Sequence, residues 1–304
     1  MVPLNSDSSS TPVAAVAFAV SPGNRFTTGV DQIAEFQDCA DTSNERPPGC
    51  SLLSTSAAAE SSDQLKHKHI KENNLTKRLI AIGDIHGCSK ALSVLLGAIA
   101  PGPDDTVVTL GDYVDRGPDT KGVLDQLIEL RKHCRLIPIL GNHEELMLAA
   151  YLGGSEFDRW LQCGGRAALD SYGKGRTLDR VPRIHVEFLK SCVDYYETET
   201  HFFVHANYRP NFRLDEENGY VRRWEPLDKQ QGVAPHYSRK TAVLGHTPQS
   251  EVLDLGHLIC IDTGCCDGGW LTGLEVTSGQ LWQVDQFGNL RDRSAMENGH
   301  RKLA

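Results

Sequence analysis

Five short β-rich runs in this chain each stop on a polar side chain, and four of them place a glycine just before it. Leu79–Ile82 runs into Gly83-Asp84-Ile85-His86-Gly87, and Thr106–Leu110 into Gly111-Asp112-Tyr113-Val114-Asp115-Arg116-Gly117. Leu136–Leu140 leads to Gly141-Asn142-His143-Glu144, Phe202–Val204 to His205-Ala206-Asn207, and Ala242–Leu244 to Gly245-His246-Thr247-Pro248. Helical patterns separate the early runs. Leu92, Leu95, Leu96 and Ile99 mark one helix face, and Leu124, Leu127 and Ile128 another after the capping pair Asp119-Thr120. Such alternation predicts βαβ units and a sheet covered by helices. Residues 150–195 read as mainly helical, and the late runs 258–261, 271–276 and 281–284 sit close together like a meander. The sheet system is therefore expected to be mixed, in an α/β (α+β) fold. Ligands of open α/β sheets bind beyond the carboxyl ends of strands, so the five ends can share one crevice.

The rest of the chain bounds the reading. Residues 1–76 form an extension in which the first 65 residues hold eleven serines and show no apolar period. It is expected to be disordered, because nothing offsets the entropy of ordering it. Lys66-His67-Lys68-His69 within it reads as a solvated basic face. The folded domain is expected over residues 77–290, with a flexible tail at 291–304. A net charge of −9 argues against a nucleic-acid or anionic-membrane partner. No stretch approaches the ~20 apolar residues of a membrane span. The nine cysteines are an odd number without framework spacing, which points to free thiols, a reducing compartment and a cytoplasmic location.

The residue types at the strand ends suit one chemistry. Carboxylate, imidazole and amide oxygen together fit borderline divalent ions such as Mn²⁺, Fe²⁺ or Zn²⁺ better than a thiolate site would. Two ions about 3.5–4 Å apart need a shared carboxylate, and Asp112 lies centrally in the ligand order. Such a pair presents a hydroxide to phosphorus. Arg116 offers a planar fork for phosphate oxygens. His143 can protonate a departing oxygen, with Asp115 holding its ring as an imidazolium. These residues point to phosphoester hydrolysis.

The set Gly83-Asp84-x-His86-Gly87, Gly111-Asp112-x-x-Asp115-Arg116-Gly117 and Gly141-Asn142-His143-Glu144 resembles the signature of the PPP family of metallophosphatases, over about Leu79 to Val284. The resemblance implies a metallophosphoesterase-type central β-sandwich of mixed sheets flanked by helices. It also implies direct attack on a phosphomonoester by a hydroxide bridging two metals, without a phosphoenzyme. It places Asp84, His86 and Asp112 on one metal and Asp112, Asn142, His205 and His246 on the other. Arg116 and Asn142 would meet phosphate, and His143 with Asp115 would be the acid pair. A second phosphate-binding arginine is implied, for which Arg222 and Arg223 are the candidates and Arg223 is preferred.

His205-Ala206-Asn207-Tyr208, Ile261-Asp262-Thr263-Gly264 and Gly268-Gly269-Trp270-Leu271-Thr272 resemble the bacterial-type branch, including Rhizobiales-like phosphatases. A helical segment, Gly165-Arg166-Ala167-Ala168-Leu169 with Ser171-Tyr172-Gly173, is also similar to bacterial members, with Cys163 in place of a common asparagine. The loop Gly264–Trp270 lacks the tyrosine of familiar animal and yeast members, and Cys265 and Cys266 in it read as inert thiols. The implied activity is a phosphoprotein phosphatase acting on phosphoserine, phosphothreonine or phosphotyrosine. The alternative is a symmetrical dinucleoside polyphosphate hydrolase, which usually carries Asp where this chain has Glu144. A catalytically silent phosphate-binding scaffold is disfavoured, because every ligand and the acid are present.

Overall fold

The computed structural model describes residues 78–175, 177–228 and 233–292. The expected disordered extension over 1–76, with its Lys66–His69 run, and the tail beyond Asp292 lie outside the described residues. β1 (Leu79–Ile82), β2 (Thr106–Thr109) and β3 (Arg135–Pro138) pair in parallel, with β2 central. β1 and β2 are buried at every position, as continuous apolar runs between two covering layers must be. The crossovers are α1 (Ser89–Ile99) and α2 (Thr120–Leu130). α1 buries Leu92, Leu95 and Ile99 from its sequence stripe. α2 starts where Asp119 accepts a hydrogen bond from the Gly122 amide at 2.9 Å.

After β3 the chain turns helical, with α3 (Asn142–Ala150), α4 (Ser155–Trp160), a kinked connection at Leu161–Gly165 where Gly164 leaves the helical backbone, α5 (Arg166–Ser171) and α6 (Arg183–Lys190). There follow β4 (Tyr195–Glu197), β5 (His201–Val204), α7 (Gly219–Trp224) and β6 (Thr241–Leu244). The last strands are β7 (Leu253–Asp254), β8 (Leu258–Cys260), β9 (Asp262–Thr263), β10 (Trp270–Glu275) and β11 (Gln280–Asp285). One sheet runs β11-β10-β1-β2-β3, with β9 also on β10, and the other runs β4-β5-β6-β8-β7. Both mix parallel and antiparallel pairs.

The expected late meander does not form as a unit. β8 lies parallel to β6 in the second sheet, whereas β9 pairs with β10 in the first, so the chain changes sheets at Ile261. The Ile261 amide still bonds to the Leu244 carbonyl at 2.9 Å, while Asp262 already pairs with Leu271. The two sheets face each other over Ala81, Val108, Leu110, Ile137 and Ile139 on one side and Tyr196, Phe203, Val243 and Ile261 on the other. A larger cluster seats α1 and α2 on the outer face of the first sheet. The fold is the helix-flanked mixed sandwich. No helix among the described residues is long and apolar enough to cross a membrane.

Candidate metal centre

The strand ends meet. Asp84, His86, Asp112, Arg116, Asn142, His143 and His246 line one cleft, with His205 fully buried behind them. Seven non-glycine residues have positive φ among the described residues, and five of them are His86, Asp112, Asp115, Arg116 and His246. Backbone strain of this kind is held in place only where surrounding contacts over-determine it, and here it concentrates on the cleft. Glu144 supplies much of that restraint. Its carboxylate accepts the amides of Asp112, Tyr113 and Val114 at 2.8, 2.8 and 3.2 Å, and that of Gly141 at 3.0 Å. It thus ties the end of β2 to the start of α3. Asn142 and His143 accordingly open a helix, with the His143 amide donating to Asp112 Oδ1 at 3.1 Å.

Each imidazole has its proton placed by a backbone carbonyl. His86 Nδ1 donates to Val114 O at 2.9 Å, His205 Nδ1 to Leu110 O at 2.7 Å, and His246 Nε2 to Trp224 O at 3.1 Å. The opposite nitrogen of each ring is thereby turned inward, where it could offer a lone pair to a bound ion. His86 Nε2 then lies 3.3 Å from Asp112 Oδ2, and His205 Nε2 lies 3.4 Å from Asp112 Oδ1. The side-chain oxygen of Asn142 meets Asp112 Oδ1 and Oδ2 at 3.2 and 3.3 Å, His205 Nε2 at 3.0 Å and His246 Nδ1 at 3.2 Å. Turning the amide over would let its nitrogen donate to all four. The hydrogen bonds of the metal-free cluster favour the nitrogen inward, and a bound cation would favour the oxygen. Ligand atoms gather within 4.8 Å in two sets, His86-Asp112-His143 and Asp112-His205-His246, with Asp112 common to both. Asp84 closes the cleft, its carboxylate accepting the His246 amide at 3.0 and 3.2 Å. The donor set fits divalent cations.

A sequence signature described as calcineurin-like phosphoesterase matches residues 77–279. The chain belongs to that family. It is a metallophosphoesterase, a hydrolase whose family uses divalent metals. Serine/threonine-protein phosphatase 1 of Salmonella typhimurium is 30% identical over 207 residues, covering 63% of this chain and 88% of that protein. The symmetrical bis(5'-nucleosyl)-tetraphosphatase of Acidovorax sp. is 45% identical over 76 residues, covering 25% of this chain and 26% of that protein. A solved cold-active protein tyrosine phosphatase shares the fold, with a TM-score of 0.53 at 18% identity over 73% of this chain and 79% of that one.

In this phosphoesterase His143 and Asp115 are brought together, Nδ1 to Oδ2 at 2.8 Å, with both side chains buried. Burial holds the His143 and His246 imidazoles neutral, each lowered to about 3. Burial alone would raise Asp112, but the imidazoles set directly against it, His205 at 3.4 Å and His86 at 3.3 Å, outweigh that and hold the carboxylate well below its usual range. Asp84 moves the opposite way, pushed well up by burial and then by Asp262 and Asp112. The cleft thus carries buried carboxylates short of positive charge.

Arg116 stands exposed at the mouth of the cleft, as a phosphate-binding group requires. Arg223 does not join it. Its guanidinium pairs with Glu145 Oε2 at 3.0 Å and Asp194 Oδ1 at 2.8 Å and does not line the cleft, so the structure does not bring it together with Arg116. Arg222 is no substitute, because it is buried over Tyr195 and donates to Leu214 O and Glu217 O. Both arginines brace the α7 region that presents the Trp224 carbonyl to His246.

Asp262 is a site residue that the sequence reading did not assign. It is buried in the cleft beside Asp84, with its carboxyl pushed up to about 6 by burial. Its signal was present, since the run 258–261 also ends on a carboxylate. Cys265 and Cys266 line the same cleft, and burial pushes the Cys266 thiol up to about 12, so it stays protonated and inert. Glu144 faces backbone amides and not the cleft, so its identity speaks to loop anchoring and not to substrate.

Proposed function

We propose that this phosphoesterase hydrolyses phosphomonoesters on phosphorylated proteins or peptides, at serine, threonine or tyrosine, with two divalent cations, Mn²⁺ first and Fe or Zn as alternatives. The observation that carries this reading is a buried His143–Asp115 pair beside a two-set cluster of inward lone pairs centred on Asp112. The similarity to a serine/threonine-protein phosphatase over 88% of that protein supports the substrate class. Asp84, His86 and Asp112 would hold one cation, and Asp112, Asn142, His205 and His246 the other. Such cations supply Lewis-acid stabilisation of phosphate charge and make a bound water acidic near neutral pH. Arg116 takes two phosphate oxygens in its fork and turns the ester bond toward His143. His143 Nε2 gives its proton to the leaving oxygen, and Asp115 steadies the ring through Nδ1–H. The incoming phosphate supplies the negative charge that lets this otherwise neutral imidazole carry a proton.

We place it in the cytoplasm, because an odd number of cysteines without framework spacing suits a reducing compartment. We assign no nucleic-acid or membrane partner. A symmetrical dinucleoside tetraphosphatase is the second reading, favoured by the 45% identity over 76 residues. Metal-stripped protein given Mn²⁺ and tested on phosphotyrosine peptide, phosphothreonine peptide and diadenosine tetraphosphate separates the two. Turnover of a peptide is the expected outcome. Cleavage of the dinucleotide alone would overturn the substrate while leaving the metal centre in place.

A further inference from the structure

The loop 115–116 joins the acid pair to the phosphate fork, and both residues adopt left-handed backbone, at φ 70° and 62°. Two adjacent strained residues need external support. On one side Thr120 Oγ1 accepts the Asp115 amide at 3.1 Å. On the other side stands the segment from Trp160 through the kink at Gly164 to Gly165, whose Trp160 is also part of the larger core cluster.

Trp160 is fully buried, and its indole N–H reaches both oxygens of Asp115, at 2.9 and 3.0 Å. Indole is a donor only, so this buried N–H is satisfied by the carboxylate and in turn holds it. The Oδ2 it holds is the atom that receives His143 Nδ1. Four residues on, the Gly164 carbonyl accepts the Arg116 amide at 3.3 Å. Gly164 sits at φ 110°, and a Cβ there would come within 2.9 Å of Arg116 N and 3.0 Å of Arg116 Cγ. Gly165 in turn seats the indole, because a Cβ on it would lie 2.5 Å from two Trp160 ring carbons. The kink at Gly164, between α4 and α5, spaces these contacts.

We propose that residues 160–165 act as one positioning brace, in which Trp160 aims Asp115, and through it His143, while Gly164 sets the stem of Arg116. The proposal rests on the phosphomonoester reading above. It makes the acid and the phosphate fork depend on a single short segment, so that proton donor and phosphate keep one relative placement.

Trp160→Phe keeps the ring and deletes the donor. Turnover of a phosphoserine peptide, whose alkoxide must be protonated, is expected to fall about tenfold or more, against a much smaller loss with 4-nitrophenyl phosphate, whose leaving group departs unaided. Adding Trp160→Phe to Asp115→Asn should cost nothing further, because both act on one contact. Gly164→Ala, which retains the indole, should weaken inorganic phosphate binding to the Mn²⁺-loaded protein several-fold by calorimetry, a readout that needs no turnover. Equal losses on both esters in Trp160→Phe, or additive losses in the double variant, would overturn the acid arm of the brace. Unchanged phosphate affinity in Gly164→Ala would overturn the other. A wild-type protein silent toward both esters would refute the reaction itself, and that result would appear before any variant was made.

Discussion

His86, His205 and His246 each tie one ring nitrogen to a main-chain carbonyl, and this is what turns three ordinary histidines into a ligand set. The carbonyls set the orientation of the rings before any ion arrives, so binding does not have to turn them. Asp112 stands between the two sets, and Asp112→Asn removes the one charge common to both. Its metal content, read by mass spectrometry after dialysis, is expected to drop toward zero, and retention of two ions per chain would refute the shared role. His143→Ala, by contrast, should keep its metal and lose about 10²–10⁴ in turnover of alkyl phosphates. Arg223 makes a different prediction from the one its sequence position invites. Because it neutralises Glu145 and Asp194 in a largely buried site, Arg223→Ala should cost about 2–5 kcal/mol of stability and leave phosphate inhibition nearly unchanged. Nothing in the local sequence Val221-Arg222-Arg223-Trp224 shows which carboxylates wait for that guanidinium, since Glu145 lies 78 residues away along the chain.

At the scale of elements, the alternation of strand and helix through residue 150 was legible from periodicity. β1, β2 and β3 and the buried stripes of α1 and α2 lie where the apolar spacing puts them. The start of α3 at Asn142 was not, because it depends on Glu144 reaching across to β2 amides as well as back to Gly141. Glu144→Gln keeps the size and puts an amide nitrogen, which can only donate, in place of one of the two oxygens that four amides share. It is expected to cost about 1.5–3 kcal/mol and to loosen Mn²⁺ binding at the same time, measured by thermal unfolding and metal titration. Loss of stability with metal affinity unaltered would show that the clamp and the centre are independent. The splitting of the late strands between two sheets was equally hidden. Leu258–Cys260 and Trp270–Glu275 are both good strand sequences, and only the place of Ile261 in the inter-sheet core decides that the chain crosses there.

For the molecule as a whole, two sheets bring carboxylates from both ends of the domain into one dry cleft. Asp84 from the first strand and Asp262 from the crossing between sheets are both pushed up by burial, Asp262 to about 6 and Asp84 well above its usual value. In metal-free protein the folded state therefore keeps protons that the unfolded chain releases. This stabilisation is present below the unfolded carboxylate range and is lost as pH rises through the folded values. His143 and His246, at about 3, act oppositely, since the unfolded chain binds their protons first, but only below about pH 6.5. Asp262 therefore acts between about pH 4 and 6, where the two histidines oppose it. Asp262→Asn isolates the share of that carboxyl: in metal-stripped protein the melting temperature of the wild type relative to the variant should fall between about pH 4 and 6 and level off above. A difference that stays flat over that window would show that Asp262 titrates as it does in the unfolded chain.

The sequence by itself determined which residues could carry the chemistry, because glycine before a polar residue at the end of a buried strand is a local pattern with a local cause. It also determined the parallel half of the fold, for the same reason: apolar period is set by neighbours three and four residues away. Tertiary structure alone decided which of those residues meet. It set Trp160 against Asp115, brought Asp262 beside Asp84, and drew Arg223 into ion pairs outside the cleft. Hydrogen bonds and charge act through space over a few ångströms, and the chain distances they bridge here leave no trace in spacing.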